Sequence, residues 1–182
     1  MNLSWISKTR AKSVSRVAFV TLLLAAILLA GAALVLSVGA RRAPAVTFTT
    51  LAGKPIAARD LRGKVVLVNF WATTCTVCAH ELSQVVATYR TFAPRGFEVV
   101  AVAMPYDRPD WVVEYARRHE LPFSVALDYD AKVNRAFGGV EVTPTAFLID
   151  KRGDILQRIV GEPDFARLRA IIERELDRPV RG

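Results

Sequence analysis

Cysteine is scarce in this chain: its 182 residues include two, Cys75 and Cys78. That excludes a scaffold stapled by several disulfides. The length is ample for a domain to fold on its own core, which leaves the pair free for chemistry. Histidine is as scarce, with His80 and His119 alone. Acidic residues are missing from positions 1–40, where Lys8, Arg10, Lys12 and Arg16 supply +4 of the net charge of +8. The remaining +4 is spread among acids, with no basic block and no alternation of basic and aromatic residues, so nucleic acid is excluded as a partner. Internal repeats and low-complexity tracts are absent as well.

The chain does carry one long apolar run near its start. Val17 to Val38 holds no charge over 22 residues. As a helix it would extend about 33 Å, enough to cross a hydrocarbon core. Four basic residues precede it, and only Arg41 and Arg42 come closely after it. The positive-inside tendency then puts the N-terminus in the cytoplasm and the rest of the chain across the membrane. A cleaved signal peptide ending near Val38-Gly39-Ala40 is the alternative, but signal cores run to roughly 7–15 residues. Both readings export the C-terminal part of the chain, and the retained anchor is preferred. The expected organisation is a cytoplasmic segment 1–16, a transmembrane signal-anchor helix 17–39, a linker 40–45 and a folded domain 46–182.

The cysteines stand two residues apart in Phe70-Trp71-Ala72-Thr73-Thr74-Cys75-Thr76-Val77-Cys78. Before them, Val65-Val66-Leu67-Val68 reads as a buried strand. After them, Cys78, Leu82, Val85, Val86, Tyr89 and Phe92 recur at helical spacing. The pair therefore sits where a strand passes into a helix. The free N–H groups and dipole of a helix N-terminus favour the thiolate, the reactive form of cysteine, and C-x-x-C cysteines have pKa values lowered to roughly 3.5–7.5. This spacing also lets the pair close a disulfide within one turn. The pattern reads as a redox dithiol in which Cys75 attacks and Cys78, on the inward stripe, resolves. No further cofactor is called for beyond the Cys75–Cys78 disulfide. A purely structural disulfide is disfavoured, because so small a loop adds little chain-entropy stabilisation.

Along the rest of the chain, Val46–Thr49 is a first strand and Gly53-Lys54-Pro55 a turn. Phe97–Ala103, Phe123–Leu127, Thr145–Ile149 and Ile155–Val160 read as strands, the last two around a turn at Asp150–Gly153. Helices are predicted from Pro109 to about His119, over a short segment capped by Asp130 and ended by Gly138-Gly139, and from Pro163 with Phe165, Leu168, Ile172 and Leu176 buried. Strands alternating with helices and then a hairpin and a closing helix predict an α/β fold, a mixed sheet covered by helices on both faces, of the thioredoxin type.

The runs V-N-F-W-A-T-T-C-T-V-C-A-H-E-L and V-T-P-T-A-F-L-I-D-K-R-G, with L-R-G-K-V-V-L-V-N-F-W before them, resemble the membrane-anchored TlpA/ResA-like thioredoxins over roughly Val46 to Leu176. The resemblance implies a thiol-disulfide oxidoreductase on the periplasmic side of a bacterial inner membrane, single-pass, acting on protein thiols and disulfides. It implies a role as reductant, including in cytochrome c assembly. Such a reductant would draw electrons from a membrane partner. It also implies that Thr143–Pro144 is a cis peptide against the cysteines, exposing the Thr143 backbone for a substrate strand. From the residues alone, Pro144 could simply begin the strand at Thr145. Trp71 corresponds to the family Trp beside the site and would be partly buried.

The sequence departs from the family at Thr74, where many relatives have Trp, and at Val77, where many have Pro. Residues beside the cysteines tune thiolate stability, which sets the reduction potential. Asn69 stands where cytosolic thioredoxins have an acid beneath the dithiol. Glu81, one turn after Cys78, is the candidate proton acceptor, and a solvated helix charge is its plainer alternative. Two rivals differ in class. A peroxiredoxin-like peroxidase would need Pro at Val68 and Thr at Ala72. A copper-binding assembly chaperone would need His80 or His119 beside the sulfurs. Covalent haem attachment would need His at Ala79. No metal site is expected.

Overall fold

The computed structural model describes Phe19, residues 21–24 and residues 41–179. The predicted transmembrane segment lies mostly outside the described residues. Among them, no helix is long and apolar enough to cross a membrane. The chain from Arg41 onward forms one compact unit.

Its centre is an eight-stranded mixed sheet made of β1 (Arg41–Arg42), β2 (Thr47–Thr50), β3 (Pro55–Ala57), β4 (Val65–Trp71), β5 (Phe97–Ala103), β6 (Ser124–Leu127), β7 (Thr145–Ile149) and β8 (Asp154–Val160). The strands lie in the order β1-β8-β7-β4-β5-β6-β2-β3. β4 runs parallel to β5 and antiparallel to β7, and every one of its residues is buried. A continuous apolar run suits such a strand because both of its faces are covered. Alternation along β4 then divides the core. Val65, Leu67 and Trp71 face the layer formed by α1 (Thr76–Phe92), α2 (Pro109–Arg118) and α4 (Phe165–Asp177). Val66, Val68 and Phe70 face Phe137 and Val133, the latter from the short α3 (Lys132–Ala136). By the same alternation Asn69 belongs to the first face, beneath α1.

The thioredoxin-type architecture is as predicted, with differences at the edges. Arg41 and Arg42, expected in the linker, form β1 and pair with Ile155 and Asp154. Pro55, expected to close a turn, opens β3, which pairs with β2 at the sheet edge. Edge strands this short carry little periodicity, and a proline at the first position of an edge strand leaves no ladder donor missing. The cap of α3 also differs. Ala131 takes φ 55°, and the carboxylate of Asp128 accepts the N–H groups of Val133 and Asn134 at 3.0 and 2.8 Å. Asp130 accepts from Lys132 N and pairs with the Lys132 ammonium. The left-handed residue turns the chain back, so the acid two positions earlier takes the second and third N–H groups of the helix while Asp130 takes the first. In the β7–β8 turn, Asp150 accepts from the N–H groups of Arg152 and Asp154 at 2.9 and 2.8 Å, and Gly153 supplies φ 84°.

Candidate active site

β4 ends at Trp71 and α1 begins at Thr76, so the intervening residues must turn from the sheet onto its helical layer. Asp107 secures that turn. Its buried carboxylate accepts from Thr73 N and Thr73 Oγ1, each at 2.6 Å, and from Arg108 N at 3.1 Å. Met104 N–H donates to the Trp71 carbonyl at 3.0 Å, tying the β5–α2 loop to the end of β4. Sequence reasoning missed Asp107. The available signal was its position in the loop after β5, because loops at the carboxyl ends of parallel strands flank sites in α/β sheets.

Cys75 is the N-cap of α1, and the Cys78 N–H donates to its sulfur at 3.2 Å. The two cysteines are joined by a disulfide, with Cα atoms 5.2 Å apart. They are not equivalent. Cys75 is partly exposed, whereas Cys78 is 1% exposed and packs in the core with Leu82 and Val85. An incoming thiol therefore reaches Cys75. The peptide Thr143–Pro144 is cis, and the Thr143 carbonyl oxygen lies 3.6 Å from Cys75 Sγ. Val142 beside it is exposed, as is Val77 on the helix.

Glu81 is fully buried, which excludes the solvated-charge reading. Burial pushes its carboxyl up from an ordinary 4.5 to about 8, and the negative charge of Glu162 adds to the rise. Asn69 acts in the opposite direction. Even so, no hydrogen bond of normal geometry joins them: among the described residues, neither the Asn69 amide nor the Glu81 carboxyl has a hydrogen-bond partner. Leaving a buried polar group unpaired costs about 1–3 kcal/mol. Such a cost, borne under a reactive pair, points to use in chemistry. Trp71 corrects the expectation of partial burial. It is 0% exposed, with its ring 5.1 Å from that of Tyr115, so any influence on a substrate passes through packing beneath the site.

The structure thus brings Cys75, Cys78 and Thr143 together and buries Glu81 one turn along. The histidines have other partners: His80 Nδ1 is 2.9 Å from Glu162 Oε1, and His119 stacks on Tyr115 at 4.1 Å. Among the described residues, no group of three or more His, Cys, Asp or Glu could hold a metal ion.

A thioredoxin-type sheet with an accessible cysteine capping a helix, and its partner buried one turn inside, defines a class: proteins that exchange a dithiol for a disulfide. Comparison with known proteins narrows this. Residues 40–158 match the model of the AhpC/TSA family. The thiol-disulfide oxidoreductase ResA of Bacillus thuringiensis subsp. konkukian is 33% identical over 135 residues, 74% of this chain and 76% of that one. ResA of Geobacillus kaustophilus is 37% identical over 65% of this chain and 67% of its own. The crystal structure of a thiol:disulfide interchange protein from Chlorobium tepidum TLS superposes with a TM-score of 0.69 at 32% identity, covering 75% of this chain and 97% of that one. The chain belongs to the thioredoxin-like AhpC/TSA family and is a thiol-disulfide oxidoreductase of the ResA type.

Proposed function

We propose that this oxidoreductase is held by a membrane anchor at 17–39, preceded by a cytoplasmic segment 1–16, and works on the exported, periplasmic side as a reductant of protein disulfides. The uncharged run Val17–Val38 and the basic residues before it support this placement. Its electrons come from a membrane thiol-reductant partner, and the family resemblance favours protein substrates in cytochrome c assembly. The observation that carries the mechanism is the asymmetry of the pair, Cys75 reachable at a helix N-terminus and Cys78 buried behind it.

In the reduced protein, the Cys75 thiolate attacks one sulfur of a substrate disulfide. A mixed disulfide forms and the first substrate thiolate leaves, taking a proton from solvent. The Cys78 thiol then gives its proton to the Glu81 carboxylate and attacks Cys75 Sγ. The protein disulfide closes, and the second substrate thiolate departs with both electrons delivered. A carboxyl pushed to about 8 is a far better acceptor for a thiol proton than one at an ordinary 4.5, so burial lowers the cost of that transfer. The Thr143 backbone, held against Cys75 and followed by the buried Pro144, aligns the substrate segment. Trp71 supports this floor from below.

The test is trapping. Cys78→Ala is expected to accumulate mixed disulfides through Cys75, and Cys75→Ala to accumulate none. A Cys78→Ala protein that forms no mixed disulfide, in a chain that neither reduces nor oxidises a model protein, rules the mechanism out. A glutathione titration of the wild-type protein then gives the potential, which decides whether it serves as a reductant.

A further inference from the structure

Arginines that are dispersed in the sequence gather on one side of the fold. Arg167, Ile171, Arg174 and Arg178 follow one another at helical spacing along α4 and into its C-cap, on a stripe beside the buried one. With Leu156 of β8 they line an open groove of about 440 Å³. The acid lining it, Glu175, has a side chain only 4% exposed and is already shared between Arg178, at 3.1 Å, and Arg174, at 3.6 Å. Among the described residues the Arg167 guanidinium has no acidic partner. Three guanidinium groups thus stand over one buried carboxylate, with aliphatic side chains between them. We propose that this groove seats anionic phospholipid headgroups of the bilayer that holds the anchor, so that the β8–α4 side of the domain lies on the membrane surface. The proposal rests on the anchor reading.

Chain connectivity selects the occupant. Val38, the last residue of the uncharged run, stands three positions before Arg41, where β1 begins. Three residues reach at most about 11 Å, and the headgroup layer on one side of a bilayer is about 5–8 Å deep. With the run spanning the bilayer, β1 starts at that layer, and β1 is paired with β8, the strand that lines the groove. The charges nearby point the same way. Arg42 and Arg152 are 75% and 63% exposed, while their partners Asp154 and Asp150 are 17% and 9% exposed, so cations face outward and carboxylates inward. Guanidinium groups suit phosphate because they offer paired donors in one plane. Leu156 and Ile171 suit the apolar side of the headgroup layer. β4, which leads to Cys75, is the second strand in from β8, about 10 Å across the sheet. A domain seated on this edge keeps the dithiol close to the surface where the membrane donor works.

The experiment uses the full-length chain in nanodiscs of phosphatidylcholine, with or without phosphatidylglycerol. Modification of each arginine by phenylglyoxal is followed by peptide mass spectrometry. With phosphatidylglycerol, Arg167, Arg174 and Arg178 are expected to react about fivefold more slowly than without it, while Arg117 and Arg118, exposed on α2, keep their rates. About 0.5 M salt is expected to remove most of that protection. Arg167→Gln combined with Arg174→Gln is expected to weaken the protection of Arg178. Equal rates in the two kinds of disc overturn the proposal while leaving the anchor intact. Protection by inorganic phosphate in discs of phosphatidylcholine alone assigns the groove to a free anion and overturns the lipid. Protection found in native membranes but absent from phosphatidylglycerol discs assigns it to a protein partner, with the same consequence. A chain released from membranes by alkaline carbonate has no spanning anchor, and that result removes the anchor reading together with this one.

Discussion

Glu81→Gln tests the buried carboxyl through stability, independently of any substrate. In the folded protein burial holds this group's pKa near 8, against an ordinary 4.5 once unfolding returns it to water. Between those values the folded state keeps a proton that the unfolded state has released, so stability falls as pH rises, by about 1.4 kcal/mol per unit. The contribution is fully present below about pH 4.5 and is exhausted once pH passes about 8. From pH 5 to pH 8 the wild-type protein should lose about 3 kcal/mol through this group alone, an order-of-magnitude figure. Glutamine has nearly the same shape and does not titrate. Urea unfolding of both oxidised proteins at pH 5, 6.5 and 8 isolates the effect, because the other titrating groups cancel in the difference. The variant should gain on the wild type steadily across the series. Parallel stability curves for the two proteins would refute the reasoning, showing that Glu81 ionises in the folded state as it does in water.

Two further substitutions probe how the site is held. Asp107→Ala removes the acceptor of two bonds from Thr73 and one from Arg108, and should lower the urea-derived stability by about 2 kcal/mol. It should also slow protein-disulfide reduction, because the turn that places Cys75 is loosened; an unchanged rate would separate that turn from function. Asp128→Ala leaves the Val133 and Asn134 N–H groups without their carboxylate and should cost about 1–2 kcal/mol with no change in turnover, read by the same two assays. Turnover lost in step with that cap would mean the two faces of the sheet are not energetically separate.

Much of this architecture is legible from the chain because its strongest signals are long. The run Val65–Trp71, the helical stripe after Cys78 and the hairpin around Asp150-Lys151-Arg152-Gly153 each repeat a pattern over enough residues to settle both type and place. β1 and β3 are two and three residues long, too short for any period, and they exist only because a neighbouring strand offers an edge. The cysteine pair is legible because its spacing and the strand-to-helix junction carry the chemistry together. The state of Glu81 is not. Helical spacing puts it on a face neighbouring that of Cys78, but whether that face meets water or Asn69 depends on how deeply α1 is set into the sheet. Asp107 acts from a loop remote in sequence from the cysteines, 34 residues from Thr73, and its place after a parallel strand is a signal that many loop acids share.

The most direct test of the mechanism is to ask which sulfur reacts. The reduced protein is exposed briefly to iodoacetamide at pH 6, where an unperturbed thiol is largely protonated, and the alkylated peptides are mapped by mass spectrometry. Modification at Cys75 well ahead of Cys78 is the predicted result. Equal labelling, or Cys78 first, would contradict the assignment of a reachable thiolate at the start of α1 with its partner held in reserve.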